Sequence, residues 1–147
     1  LPYDKPLVIV AAEEAQEDIT RKLMRIGLDN IEGFIAHSAA DNIEKTNIIT
    51  TAEVAEIKDN EDVILFDVRS LKEFNAGHIP GATPYFVGKM AQQLPQVNKD
   101  DTLIIQCQSG DRATIASSFL MRHGFTKVFS YSGSMNDWLA SGKSIVN

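Results

Sequence analysis

The sequence predicts an α/β fold, with a mainly parallel sheet and helices on both faces. Three observations carry this. Continuous apolar runs of strand length recur along the chain. Stretches with apolar residues three and four positions apart lie between them. Glycine or proline closes most of those stretches. Strands separated by helical stretches of this length are joined by crossovers, the connection that parallel pairing needs.

Residues 7–11 read as a buried strand, an apolar run set off by Pro6. Over residues 13–26, Ala15, Ile19, Leu23 and Ile26 form a helical face, and Gly27 supplies the stop. Residues 31–35 are a second strand. The polar stretch 39–46 has linker character, which divides the chain into a segment 1–40, a linker 41–47 and a domain 48–147. Ile48 and Ile49 form a short edge. Thr50-Thr51-Ala52-Glu53 is a capping box opening a helix to about Lys58. Strands are expected at 63–68, 82–86, 103–106 and 128–131. Helices are expected at 71–75, 88–94, 111–123 and 134–140, with Pro95 ending the second and Gly124 the third.

The composition narrows the class. The chain has 147 residues, of which 44% are apolar and 23% charged, as in globular proteins. Five Arg and nine Lys stand against twenty acids, a net charge of −6, so no basic surplus exists to neutralise nucleic-acid phosphates. No apolar run approaches the roughly 20 residues of a membrane-spanning helix. No signal peptide is visible. The single cysteine, Cys107, forms no internal disulfide, which fits a reducing cytoplasm. The first residue is Leu rather than Met, as expected of a processed chain or a piece of a longer one. A length of 147 accommodates one domain of about 100 residues with about 45 to spare.

The surplus has a pattern. Leu23-Met24-Arg25-Ile26-Gly27 recurs 97 positions later as Leu120-Met121-Arg122-His123-Gly124. Each copy follows a strand and a helix, and each leads to a strand. Strand–helix–glycine–strand units resemble one another in any α/β protein. A tandem duplication, of which only the tail of the first copy is present, accounts for more of the pattern.

The chemistry centres on Cys107-Gln108-Ser109-Gly110-Asp111-Arg112. A buried strand ends at the thiol, and a helix follows a short loop containing one glycine. Backbone N–H groups of such a turn can form an anion-binding nest, and the helix N-terminus and Arg112 add positive charge. The same field lowers a thiol pKa and makes the thiolate a nucleophile for an anionic electrophile. The alternative from the loop alone is a buried structural cysteine with an incidental arginine. No second cysteine lies nearby and the three histidines are scattered, so neither zinc nor another cofactor is expected.

Upstream stand Asp67-Val68-Arg69-Ser70, then Glu73-Phe74, then Gly77-His78-Ile79-Pro80-Gly81-Ala82. Together with Cys107, Gly110 and Arg112 in a Cys-x-x-Gly-x-Arg loop, this combination resembles the rhodanese family of sulfurtransferases, over about residues 48–146. The finer resemblance is to the rhodanese portion of fusions with a metallo-β-lactamase-fold persulfide dioxygenase. It makes such a domain upstream a candidate partner in the full-length protein. On this view residues 1–40 are a degenerate partial copy of the same fold. Val10 or Ala11 stands in place of the thiol, followed by Glu13 and Glu14, so that copy is expected to be silent. Its uncovered face is expected to pack on the complete domain or on a second copy of the chain.

The resemblance implies that Cys107 carries sulfur as a persulfide, taken from thiosulfate or a persulfide and passed to a thiol, sulfite or cyanide. The amides from Gln108 through Ser109, Gly110 and Asp111 to Arg112 would hold the donor, and Arg112 would orient it. Asp67 and Arg69 read as an ion pair that fixes the loop, and His78 as a brace for its turn. Asp111 reads as a cap for the helix start, and Met135 and Trp138 as packing for the last helix. Two departures are Gln108, neutral after the cysteine, and Gly133-Ser134-Met135 in place of the family's Gly-Gly-aromatic. The competing functions are a dual-specificity-type phosphatase, which in that family has a loop one residue longer, and a non-catalytic docking module.

Overall fold

A computed structural model of the protein describes residues 3–36 and 45–147. The chain divides into two compact units, Leu1–Glu44 and Lys45–Asn147. Residues 37–44, which carry most of the expected linker, lie outside the described residues. At its far end the expected linker is too long, because Asn47 already pairs as a strand residue.

In the first unit, β1 (Leu7–Val10) pairs in parallel with β2 (Ile31–Ile35), joined by α1 (Gln16–Arg25). The expected helix over 13–26 opens instead as a 3-10 turn at Glu13–Ala15, since Ala12 offers no side chain to cap the first N–H groups. Gly27 ends the helix at φ +79°.

The second unit holds a five-stranded, all-parallel sheet. It is built from β3 (Asn47–Ile49), β4 (Val63–Asp67), β5 (Thr83–Pro84), β6 (Thr102–Gln106) and β7 (Lys127–Tyr131), in the order β3-β7-β6-β4-β5. The helices are α2 (Thr51–Ile57), α3 (Leu71–Asn75), α4 (Asp111–Arg122) and α5 (Ser134–Ala140). Thr50 caps α2 with the expected reciprocal bonds to Glu53, and Ser70 caps α3 with Glu73 in the same way.

Strand alternation divides the interior into two cores. Leu103, Ile105 and Cys107 join Phe66 and Val128 on the face covered by Ala113, Ala116 and Leu120 of α4. Ile104, Leu65 and Tyr131 face Val54 of α2 and Met135 and Trp138 of α5. Burial on both sides explains why these strands read as continuous apolar runs. It also confirms Met135 and Trp138 as packing residues.

Two expected elements are shorter than their patterns. The strand over 82–86 reduces to Thr83–Pro84, because Pro84 has no N–H to donate and the strand lies at the sheet edge. The helix over 88–94 reduces to a 3-10 turn at Val87–Lys89 followed by turns, with glycine inside its first turn.

Candidate functional site

Strand β6 is buried along most of its length and delivers Cys107 to the sheet's carboxyl edge, where open α/β sheets place their ligands. The loop then reverses into α4 within three residues. That reversal depends on Gly110, at φ +101°, where an added Cβ would lie 2.2 Å from the Ser132 carbonyl oxygen. Gly110 is also the N-cap of α4, and no side chain caps this helix. Asp111 is therefore the first helical residue rather than the cap. Its carboxylate accepts from the Ser109 hydroxyl at 3.1 Å and sits favourably at the positive end of the helix.

The backbone wraps the thiol. Gly110 N–H donates to Cys107 Sγ at 3.1 Å. Burial pushes the thiol pKa up, but N–H donors from Ala113, Gly110 and Ser109, with a smaller contribution from the Ser134 hydroxyl, outweigh it. The Cys107 pKa thus lies below the ordinary thiol value. The side chain is both buried and electrostatically activated, an unusual pairing for a merely structural cysteine.

Ser134 closes the cradle from α5. Its Oγ accepts from Cys107 N–H at 3.0 Å and lies 2.6 Å from the Tyr131 carbonyl oxygen and 3.8 Å from Sγ. Ser134 has φ +51°, a left-handed conformation costly for a residue with a Cβ. The family motif's second glycine would adopt that conformation freely. Serine there introduces strain and gains a hydroxyl under the sulfur.

Arg112 does not project alone into the loop. Its Nη2 and Nη1 donate to Oε1 and Oε2 of Glu73 at 2.8 and 3.1 Å. The Arg112 bonds, aided by Ser70, hold the Glu73 carboxyl down at about 2 against the effect of burial. The Arg112 pKa rises in turn, chiefly through Glu73, with a minor contribution from Cys107.

Asp67 and Arg69 form a buried pair. Arg69 Nη2 donates to Asp67 Oδ2 at 2.6 Å, and Nε contacts Oδ1 at 3.0 Å and Oδ2 at 3.1 Å. The same guanidinium donates to the Gly77 carbonyl at 2.8 Å and to Gln108 Oε1 at 3.3 Å. Gln108 Nε2 donates onward to Asn136 Oδ1 at 2.7 Å. The residue after the thiol is thereby tied to α3's approach on one side and to α5 on the other. His78 lies outside this network. Its ring stacks on Phe74 at 3.7 Å, Nδ1 lies 3.0 Å from the Phe74 carbonyl, and its backbone bridges to Val146.

The structure thus brings together Cys107, Gln108, Ser109, Gly110, Asp111 and Arg112, with Asp67 and Arg69 behind the loop. Sequence reasoning missed three partners. Glu73 was visible as the acidic end of a Ser-x-x-Glu box. Ser134 was visible only as a departure from the Gly-Gly-aromatic signature, and Asn136 left no local signal; they lie 27 and 28 positions beyond their partners.

Residues 50–141 match the family model described as Rhodanese-like domain. The thiosulfate sulfurtransferase GlpE of Pseudoalteromonas translucida is 33% identical over 93 residues, covering 63% of this chain and 89% of that protein. A sulfurtransferase of Allochromatium vinosum is 32% identical over 90 residues, covering 61% and 84%. A further relative, from Bacillus subtilis, is 28% identical over 125 residues, and the match spans 64% of its length. Among solved structures, the human single-domain sulfurtransferase TSTD1 superposes with a TM-score of 0.60 at 26% identity, covering 65% of this chain and 97% of its own.

Proposed function

The chain belongs to the rhodanese-like domain family, and on that premise we propose that it is a sulfurtransferase carrying sulfane sulfur on Cys107. The observation that supports this most strongly is the convergence of backbone N–H groups on Sγ, led by Gly110 at 3.1 Å, around a thiol with a lowered pKa. In the first half-reaction the Cys107 thiolate attacks the outer sulfur of thiosulfate or of a persulfide. A bond forms between Sγ and that sulfur, the donor's S–S bond breaks, and its electron pair leaves with sulfite or the donor thiolate. The N–H groups of the loop would then stabilise the charge on the transferred sulfur. In the second half-reaction a thiol, sulfite or cyanide attacks the outer sulfur, and Cys107 leaves as thiolate.

The residues around the loop take positioning roles. Asp67 and Arg69 hold Gln108 and so fix the turn, and Glu73 holds Arg112 across the mouth. With Arg112 so engaged, its charge is shared, which favours a singly charged persulfide over a dianionic donor. This accords with the finer likeness to the rhodanese part of persulfide dioxygenase fusions, in which a domain of that type upstream would oxidise persulfides to sulfite, one of the acceptors named here. A reducing compartment such as the cytoplasm would keep Cys107 available. A phosphatase reading has no comparable support, because only four residues separate Cys107 from Arg112.

We extend the proposal to residues 1–40 as a silent partial copy of the same fold. The support is the recurring Leu-Met-Arg-x-Gly segment and the shared local geometry of its two occurrences.

The test is incubation with thiosulfate or a low-mass persulfide followed by intact mass measurement. The expected result is one added sulfur on the wild type and none on Cys107→Ser. An unmodified wild type with every donor would overturn the assignment, and the relative loading rates decide the preferred donor.

A further inference from the structure

A cleft of about 250 Å³ lies on the outer side of Arg69, and neither half-reaction above uses it. Its walls are Leu71, Pro84 and Phe86, with Tyr85 behind, and Arg69, Lys89 and Gln93 supply its polar groups. Leu71 and Phe86 are both substantially exposed, at 62% and 41%. The Tyr85 ring is fixed by packing against Phe66 at 5.3 Å and by its hydroxyl, which donates to the Gln93 carbonyl. The Tyr85 wall is therefore fixed, and the lining combines apolar side chains with three polar ones, as ligand clefts do.

The charges give the cleft a sign. Its lining contains two cations and no carboxylate, in a protein of net charge −6. Arg69 is neutralised by Asp67 from behind. Lys89 forms no ion pair among the described residues and stands exposed at the cleft. One lining residue also touches the loop: Arg69 donates to Oε1 of Gln108, the residue after Cys107, at 3.3 Å.

Resting on the sulfurtransferase reading, we propose that this cleft is the acceptor site, and that it takes a low-mass thiol bearing a carboxylate. Lys89 holds the carboxylate, and Leu71, Pro84 and Phe86 receive the carbon skeleton. Thiosulfate has no apolar surface to place against those side chains, so as a donor it would use the N–H cradle alone. The acceptor thiolate attacks the outer sulfur of the Cys107 persulfide. One S–S bond forms to the acceptor, the bond to Sγ breaks with its electron pair on Sγ, and any proton on the transferred sulfur leaves with the product. No oxidant or reductant is consumed.

The experiment loads the full chain with sulfur, removes the donor, and follows discharge by 3-mercaptopropionate and by cysteamine, which differ in the sign of their second group. The readout is the ratio of the two rate constants, so differences in intrinsic thiol reactivity cancel between variants. Lys89→Glu is expected to lower the anion-to-cation ratio about tenfold, the size of a charge reversal at a partly screened contact. A ratio unmoved by Lys89→Glu overturns the proposal, even if both rates fall together.

A second arm needs no persulfide. Unreactive 3-(methylthio)propionate is expected to shift the backbone amide signals of Phe86 and Lys89 saturably in the wild type and not in Lys89→Glu. Shifts that are absent or centred elsewhere overturn the cleft as the anion site. Failure of the wild type to load sulfur overturns the sulfurtransferase reading, and with it the acceptor role. A loaded protein with no charge discrimination overturns the cleft inference alone.

Discussion

The segments Leu7–Ile35 and Thr102–Tyr131 begin from the same pattern and end with different capabilities. Each is a strand, a helix, a glycine and a second strand in parallel with the first. Past a slip between Leu7 and Val8 the registers coincide, with Val8 opposite Gly33 as Ile105 is opposite Ser130, 97 positions on. Both helices end alike. Gly27 and Gly124 are left-handed, at φ +79° and +88°, and the next residue donates back to Leu23 or Leu120 at 3.0 or 3.2 Å. Local sequence has specified local structure twice.

The turns between strand and helix differ. In the second segment Gly110 opens a loop of inward N–H groups around a thiol. In the first, Glu13, Glu14 and Ala15 coil into a 3-10 turn with two carboxylates and no thiol. Burial differs as well. α4 buries Ala113, Ala116, Ser117 and Leu120, whereas α1 buries none, and Ala11 and Leu28 are the only buried apolar residues described in the first unit. The difference teaches that the helix stop is a local device, while the cradle requires a central strand in a closed core.

Gly110→Ala should have the largest effect, because it gives the second turn the Cβ that the first one has. The new atom would meet the Ser132 carbonyl at 2.2 Å in a left-handed conformation, so a loss of about 3 kcal/mol in chemical denaturation and loss of sulfur loading are expected. Retention of both would mean that glycine is not what separates the two turns.

Ser134→Ala comes next. It orphans the buried Cys107 N–H, at about 1–2 kcal/mol, and removes one contribution to thiolate stability. The pH midpoint of alkylation by iodoacetamide should move upward, toward the ordinary thiol value. A midpoint that stays or falls would show that Ser134 supports the fold only.

Gly27→Ala and Gly124→Ala should each cost about 1 kcal/mol, since both force a Cβ into the left-handed region. Hydrogen exchange should place the first loss within residues 7–35, with sulfur loading intact, and the second within the loading unit. Equal loss of loading in both variants would contradict the division of labour.

Glu73→Gln should be the mildest. Because the folded pKa is about 2 against an ordinary 4.5, the stabilisation is fully present above pH 4.5 and disappears as pH falls toward 2. The side chain is 36% exposed, so solvent screening holds the contribution to about 1 kcal/mol. The stability gap between variant and wild type should therefore narrow on acidification from pH 7 to 3. A gap independent of pH would assign the effect to the lost cap on α3 and not to the pair with Arg112.

Much of this could be read from residues alone. Continuous apolar runs located β4, β6 and β7, because strands buried on two faces need no alternation. Thr50 and Glu53 located α2, and the segment Ser134–Ala140 was bounded as expected. β5 was overestimated, because an apolar run says nothing about the ladder donor that proline lacks. At the site, Cys107, Gly110 and Arg112 were legible because loop chemistry is local. Glu73 and Ser134 were legible only as motif positions and Asn136 not at all, and none was given its partner, since each meets it through the packing of a separate element.

By itself the sequence determined the α/β class, the helix stops, the capping boxes and the nucleophile's loop. These depend on backbone preferences and on periodicity over a few residues. Only the tertiary structure decided that Arg112 is held by Glu73, that Gln108 is tied between Arg69 and Asn136, and that Ser134 takes up a glycine's conformation beneath the sulfur. Those contacts join residues 27 to 39 positions apart. Their geometry follows from the order in which the strands assemble, because side chains from separate crossovers meet only at the carboxyl edge of one sheet.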